Sequence, residues 1–286
     1  MRDELTPLVS VVIPTYNYAH FLAEAIESVL AQTYTNFEII IVDNFSIDNT
    51  AKLVSSLLDD RIKFLQFENG GSIAAARNFG WKNSSGQLVA FLDADDSWHP
   101  MKLSSQVRLH LSNLAVSYHD LKLFGARNFG TAKGRRLRGN PAVQMLTGGN
   151  PISTSSVVIA RQLLESSGGF PEDLEIVSAE DFALWLLVGE LGAEFVYIPK
   201  ALGQYRLHES SSSSGRSASA AAIVTDKYRS NMSRGEIKRL DGWLSYAHGV
   251  SETSGGARRG HFMNAVMKAS MRFKWRALVR ILMPWR

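Results

Sequence analysis

Apolar and polar residues fall into short alternating blocks over the first ninety positions. Val9–Ile13 is a β-branched run closed by Pro14 and predicts a buried strand. Phe21, Leu22, Ala25, Ile26, Val29 and Leu30 recur at the three- and four-residue steps of one helix face. Glu38–Val42 predicts a second buried strand ending at Asp43. Asp48 or Asn49 can then cap a helix through Leu53, Val54, Leu57 and Leu58. Ile62–Phe67 reads as a third strand. Ser72 caps a helix carrying Ala74–Ala76, Phe79 and Trp81, Gly86 breaks the chain, and Leu88–Leu92 is a fourth strand. Strand and helix alternate three times before that fourth strand, which predicts an α/β fold built on a mostly parallel, doubly wound sheet. Such sheets bind ligands beyond the carboxyl ends of their strands. Asn17, Asp43 and Asp93 all fall there.

The pattern is weaker further on. Pro100–Leu114 has helical spacing, and Ala126–Asn140 is rich in Gly and Arg and reads as a loop. Ser155–Ala160 predicts a strand, Arg161–Ser167 a short helix stopped by Gly168-Gly169, and Glu180–Leu191 a helix. Phe195–Ile198 and Ala201–Leu207 read as two strands. The run Ser210–Gly215 is of low complexity and marks a domain edge, giving a body over 1–215 and a helical extension over 216–286.

Charge sharpens that division. Residues 216–286 hold 14 Lys and Arg against 4 Asp and Glu, a net of +10, whereas residues 1–215 hold 17 against 23, a net of −6. An acidic body with a basic tail points to nucleic acid, an anionic membrane surface or an acidic partner for the tail. There are no cysteines among the 286 residues, so thiolate metal sites are excluded. Any metal would take oxygen or imidazole ligands, which suits magnesium or manganese. No secretory signal and no bilayer-spanning apolar run are visible, and a cytoplasmic location is the expectation.

The densest chemistry is Asp93-Ala94-Asp95-Asp96, directly after the apolar run Leu88–Leu92. Carboxylates packed this closely repel and call for a cation or a polar ligand. Asp93 and Asp95 lie two apart, so an extended backbone points both the same way. A solvated turn, or a helix cap by Asp96 or Ser97, is the alternative reading. Pro14-Thr15-Tyr16-Asn17 lacks the glycines of a dinucleotide fold and the Lys-Ser/Thr of a phosphate-cradling loop. Asp43 could accept a hydrogen bond from a base or ribose, or simply sit in a polar turn. Glu180-Asp181 opens a helix, where the dipole favours acids and where a carboxylate can also act as a general base.

Taken in order, Pro14–Asn17, Val42-Asp43-Asn44-Phe45-Ser46, Ala76-Arg77-Asn78-Phe79-Gly80, Phe91–Asp96, Glu180-Asp181 and Tyr205-Arg206-Leu207-His208 resemble the family-2 inverting glycosyltransferases over residues 8–214. The chain departs at Asp43-Asn44-Phe45-Ser46, where the family more often reads Asp-Asp-Gly-Ser. The resemblance implies a Rossmann-like A-type nucleotide-sugar fold and a nucleotide-diphosphate sugar donor, most often a UDP-sugar. Thr15, Asn17 and Asp43 would line the nucleotide pocket. Arg77 would sit near the nucleotide or its pyrophosphate, Asp93 would meet the ribose, and Asp95 would hold Mn2+ or Mg2+. Asp181 would be the base, Glu180 would orient the acceptor or the base, and His208 would approach the metal or diphosphate.

Met267–Trp285 predicts one basic amphipathic helix, with Met267, Met271, Trp275, Leu278 and Leu282 on one side and Lys268, Arg272, Arg276 and Arg280 in a neighbouring stripe. An anionic membrane surface is the expected partner, the inner face of the cell membrane the expected peripheral location, and a saccharide or lipid-linked saccharide of bacterial surface-polysaccharide assembly the expected acceptor. Docking of the helix on the body is the competing reading. Nucleic acid is not expected as a partner, given the acidic body. A nucleotidyltransferase and a non-catalytic nucleotide-sugar binder are the alternative functions.

Overall fold

The computed structural model describes residues 6–110, 114–125, 130–207, 214–252 and 254–282. Its first half follows the predicted alternation: β1 (Val9–Thr15), α1 (Ala19–Leu30), β2 (Phe37–Asp43), α2 (Thr50–Ser55), β3 (Ile62–Gln66), α3 (Ile73–Lys82) and β4 (Leu88–Phe91). There follow β5 (Ser97–Trp98), α4 (Lys102–Val107), β6 (Ala115–Gly125), β7 (Thr131–Ala132), α5 (Pro141–Gly148), β8 (Val158–Ala160), α6 (Arg161–Ser167), α7 (Glu180–Glu190) and β9 (Glu194–Leu207). The chain ends in α8 (Ser214–Asp226), α9 (Arg234–Ser251), α10 (Gly255–Lys268) and α11 (Met271–Leu282).

One sheet runs β3-β2-β1-β4-β8-β6-β9-β5, with β7 added at β6. The long pairings, β1 with β2 and β4, β2 with β3, and β6 with β9, are parallel, and the antiparallel ones are short. Every residue of β1, β2 and β4 is buried, as a sheet covered on both faces requires. Helix α3 reaches that sheet closely because position 80 is glycine: a Cβ there would lie 2.4 Å from the Val12 side chain. Ser72 caps α3 by accepting from the Ala75 amide.

The chain packs into two compact units. The sheet unit comprises Met1–Arg136, Pro151–Pro171 and Glu190–Glu209, and the helical unit Leu137–Asn150, Glu172–Gly189 and Ser210–Arg286. Beyond the basic extension, the helical unit therefore includes α5 and α7.

Several local expectations change. The helix expected over Pro100–Leu114 is only α4, followed by turns to His110. Strand β6 carries no clean apolar alternation because Ser117, His119 and Asp120 are buried within it. The two strands expected around Pro199 are one, β9: His119 pairs with Ile198 and Asp120 with Ala201, so Pro199 and Lys200 bulge out of the ladder. Proline has no amide hydrogen to give the ladder. The helix expected over Met267–Trp285 breaks at Ala269-Ser270, where the Ser270 carbonyl takes up the first amides of α11.

Candidate active site

Thr15 and Asp43 are register partners at the ends of β1 and β2. Beyond them the chain is stitched to itself. Asn17 adopts a left-handed φ of 55°, a conformation asparagine tolerates better than most residues. That turn lets its side-chain oxygen accept from the Ile47 amide at 2.9 Å, while its own amide donates to Ser46 Oγ at 2.8 Å. Asp43 is fully buried and accepts from the Ser46 amide, the Ser46 hydroxyl and, at 3.3 Å, Gln66 Nε2. The Asp43 carboxylate thus shapes the 43–48 loop. Thr15 Oγ1 is buried without a partner among the described residues, an orphan hydroxyl at the strand tip that a polar ligand could satisfy. Tyr16 and Phe45 flank these positions as exposed rings.

The acidic tip follows β4. Arg77, nearly buried on α3, donates to Asp93 Oδ1 at 2.7 Å and lies over the Phe170 ring. The Asp93 amide donates to Ser155 Oγ. Asp93 and Asp95 are half-buried, whereas Asp96 is 2% exposed. Asp96 is not a helix cap. Its Oδ1 accepts the Arg206 amide at 2.9 Å, and its Oδ2 has no partner among the described residues. Burial first, then the charges of Asp93 and Asp95, hold Asp96 well above the ordinary carboxylate range.

Arg206, which motif reading passes over, fixes this turn. Its Nε donates to the Asp95 carbonyl at 2.9 Å, its terminal nitrogen pairs with Glu24, and its guanidinium sits between Phe21 and Phe124. The signal was available in Tyr205-Arg206-Leu207-His208. His208 itself lies outside the described residues. Among the described residues no three His, Asp or Glu side chains converge as a metal cage. The half-buried carboxylates of Asp93 and Asp95, close together at this turn, nevertheless suit a hard divalent cation completed by ligand oxygens.

Glu180 and Asp181 belong to the helical unit, in the first turn of α7. Ser178 is in the left-handed region at φ 78°, and its amide donates to Glu180 Oε2 at 2.7 Å. Glu180 is buried, so its carboxylate braces the turn that starts α7. Asp181 Oδ1 accepts from the Phe182 amide, and Asn150 Nδ2 donates to Asp181 Oδ2 at 3.2 Å. Asn150 was not anticipated, since it follows α5 and no sequence spacing ties it to residue 181. Trp98 and Trp185 are both buried, in keeping with core packing.

This α/β arrangement is the A-type glycosyltransferase fold. It is shared with Staphylococcus aureus TarS 1–349 in complex with UDP-GlcNAc (TM-score 0.66, 19% identity, 93% of this chain and 83% of that chain). It is shared too with the mannosyltransferase PcManGT of Pyrobaculum calidifontis in complex with GDP-Man and Mn2+ (TM-score 0.64, 17% identity, 98% and 88%). At these identities the likeness speaks for the fold alone. The glycosyl transferase family 2 model matches residues 10–154. The Escherichia coli UDP-Glc:alpha-D-GlcNAc-diphosphoundecaprenol beta-1,3-glucosyltransferase WfgD is 34% identical over 211 residues, 73% of this chain and 81% of that protein. The chain therefore belongs to glycosyltransferase family 2. Some relatives are much longer: the chain spans 30% of the uncharacterized glycosyltransferase RC0461 of Rickettsia conorii, at 36% identity over 185 residues. Among the described residues no helix is long and apolar enough to cross a membrane.

Proposed function

We propose that this glycosyltransferase is metal-dependent and inverting, and moves a sugar from a nucleoside-diphosphate sugar, most simply a UDP-sugar, to a hydroxyl of a saccharide or lipid-linked saccharide in bacterial surface-polysaccharide synthesis. The observation that carries this reading is the tip at the end of β4, where Arg77 holds the Asp93 carboxylate and Arg206 holds the Asp96 carboxylate and the Asp95 backbone carbonyl. Donor and acceptor class draw support from the name of the E. coli relative and from the nucleotide-sugar complexes of the two structural neighbours.

In this reading residues 1–215 carry the chemistry. Thr15 and Asn17 meet the nucleotide, and Asp43 holds the loop against which it lies. Arg77 serves the pyrophosphate end, and Asp93 accepts from the ribose. Asp95 would ligate Mn2+ or Mg2+, with His208 beside the metal or diphosphate. That ion would supply neutralisation of charge on the leaving diphosphate. Asp181 takes the proton as the acceptor oxygen attacks the anomeric carbon, and the carbon–oxygen bond to the diphosphate breaks on the opposite face. A single displacement inverts the centre and releases a nucleoside diphosphate. Glu180 and Asn150 keep Asp181 oriented. A peripheral position on the inner face of the cell membrane belongs to the same reading.

The test is a thermal-shift panel of UDP, GDP, dTDP and CMP, each with manganese and with EDTA. One diphosphate should stabilise the protein only with metal, and Asp95→Ala should lose that shift. Asp181→Asn should keep the shift while turnover falls by about 10²–10⁴-fold. Normal turnover of Asp181→Asn would remove the base assignment. No shift with any nucleotide would remove the support for the nucleotide-site assignments.

A further inference from the structure

We propose that the α10–α11 pair is a docking surface for anionic lipid, formed on the helix faces that the helical unit leaves uncovered. Docking on the protein and docking on a membrane are rival readings of the tail, yet α11 has a face for each. Phe273 and Ala277 are buried, Ile281 packs beside them, and with Phe262 and Ala265 of α10 and Tyr246 of α9 they form a small core. Helix α9 admits the corner between α10 and α11 because position 242 is glycine: a Cβ there would lie 2.1 Å from the Ala269 nitrogen.

The opposite face of α11 stays open. Met271, Trp275 and Val279, four residues apart, are 79%, 69% and 41% exposed. On α10, Met263 and Met267 continue the same spacing and are 51% and 69% exposed. A run of large exposed apolar side chains along two consecutive helices is unlike the scattered single ones of an ordinary surface. Arg272, Arg276 and Arg280 border the α11 face on one side and Lys274 on the other, by helical spacing. No Asp or Glu occurs after Glu252, while residues 253–286 hold eight Lys and Arg.

Charge chooses the occupant. Two copies joined through this face would bring guanidinium groups together with no carboxylate from the same segment to neutralise them. A bilayer rich in anionic headgroups offers negative charge to the rim and an acyl boundary to the Met and Trp side chains, the arrangement of helices that lie in a membrane interface.

The experiment is co-sedimentation of the full chain with phosphatidylglycerol vesicles and with phosphatidylcholine vesicles, at low and high salt. Binding to phosphatidylglycerol at low salt is expected, with phosphatidylcholine at least about tenfold weaker. Met271→Ser/Trp275→Ser and Arg272→Gln/Arg276→Gln should each weaken it about tenfold or more at unchanged melting temperature, because these side chains are exposed. Asp95→Ala protein should bind as the wild type does, which keeps this result separate from the transfer chemistry. Equal binding to both lipids, or none, overturns the proposal. So does a concentration-dependent dimer that the Met271/Trp275 variant dissolves while vesicle binding persists, which would assign the face to a second copy.

Discussion

Arg77 and Arg206 approach the acidic turn from opposite sides of the sequence and act differently on it. Arg206 works mainly on the backbone, through the Asp95 carbonyl and its own amide to Asp96. Arg77 neutralises charge directly, since its guanidinium is almost buried and Asp93 is partly so. Breaking a buried pair by removing one partner typically costs roughly 3–5 kcal/mol. Asp93 keeps some solvent, so Arg77→Met should cost about 2 kcal/mol. Arg77→Lys should recover part of it, because an ammonium restores charge without the guanidinium's fork. Urea denaturation of the two variants checks this, and equal stability of the Arg77→Met and wild-type proteins would show the pair to be idle. These carboxylates were legible from sequence because three acids after an apolar run need a cause. The role of Asp96 was not, since capping and burial place the same residue type at the same spot. Arg206 stands in the Tyr205–His208 motif, yet its role there could not be read, because its partners lie 111 and 182 positions away.

At the level of elements, the basic extension does more than carry charge. Trp243 on α9 donates from Nε1 to the Leu146 carbonyl at 2.5 Å and meets the Phe182 ring edge-on at 6.0 Å. Leu146 lies on α5, which leads to Asn150, and Phe182 follows Asp181 on α7. Helix α9 thus grips both elements that present the Asn150–Asp181 hydrogen bond. Trp243→Phe keeps the ring contact and removes the donor, so Leu146 loses a partner at a cost of about 1 kcal/mol. A small misplacement of a reacting group is costly. Turnover should therefore fall about tenfold while the nucleotide shift on the sheet unit stays unchanged. Loss of nucleotide binding in the same variant would refute this division of labour. Sequence periodicity found the strands of the amino-terminal half because most of them are buried on both faces. It missed β6, whose buried Ser117, His119 and Asp120 hide the alternation, and it split β9 at Pro199. The tail's amphipathic pattern was readable, but not the break at Ala269-Ser270, which lies against Gly242 of another helix.

Across the whole molecule, stability should carry the mark of imidazoles folded away from water. Burial, and secondarily the charge of Lys102, lowers His110 to about 4 and His119 to about 3, against 6.5 when exposed. His110 Nε2 meets Ser117 Oγ at 2.8 Å, and His119 Nδ1 meets the Asp120 carbonyl at 2.7 Å, so each has one hydrogen bond suited to a neutral ring. Both folded values are depressed, so below pH 6.5 the unfolded chain binds protons that the native state refuses. Stability therefore falls as pH drops from 6.5 toward 4. At pH 5 the loss is about 2 kcal/mol per histidine at most. Asp96 acts in the opposite sense: its folded value is raised, so the strain of ionising it is relieved as pH falls. Melting wild type alone mixes these terms, whereas the His110→Gln/His119→Gln protein removes only the imidazoles. Its melting temperature should decline less between pH 7 and pH 5 than the wild type's. If the two declines coincide, the histidines take up protons equally in both states, and the acid sensitivity belongs to other groups.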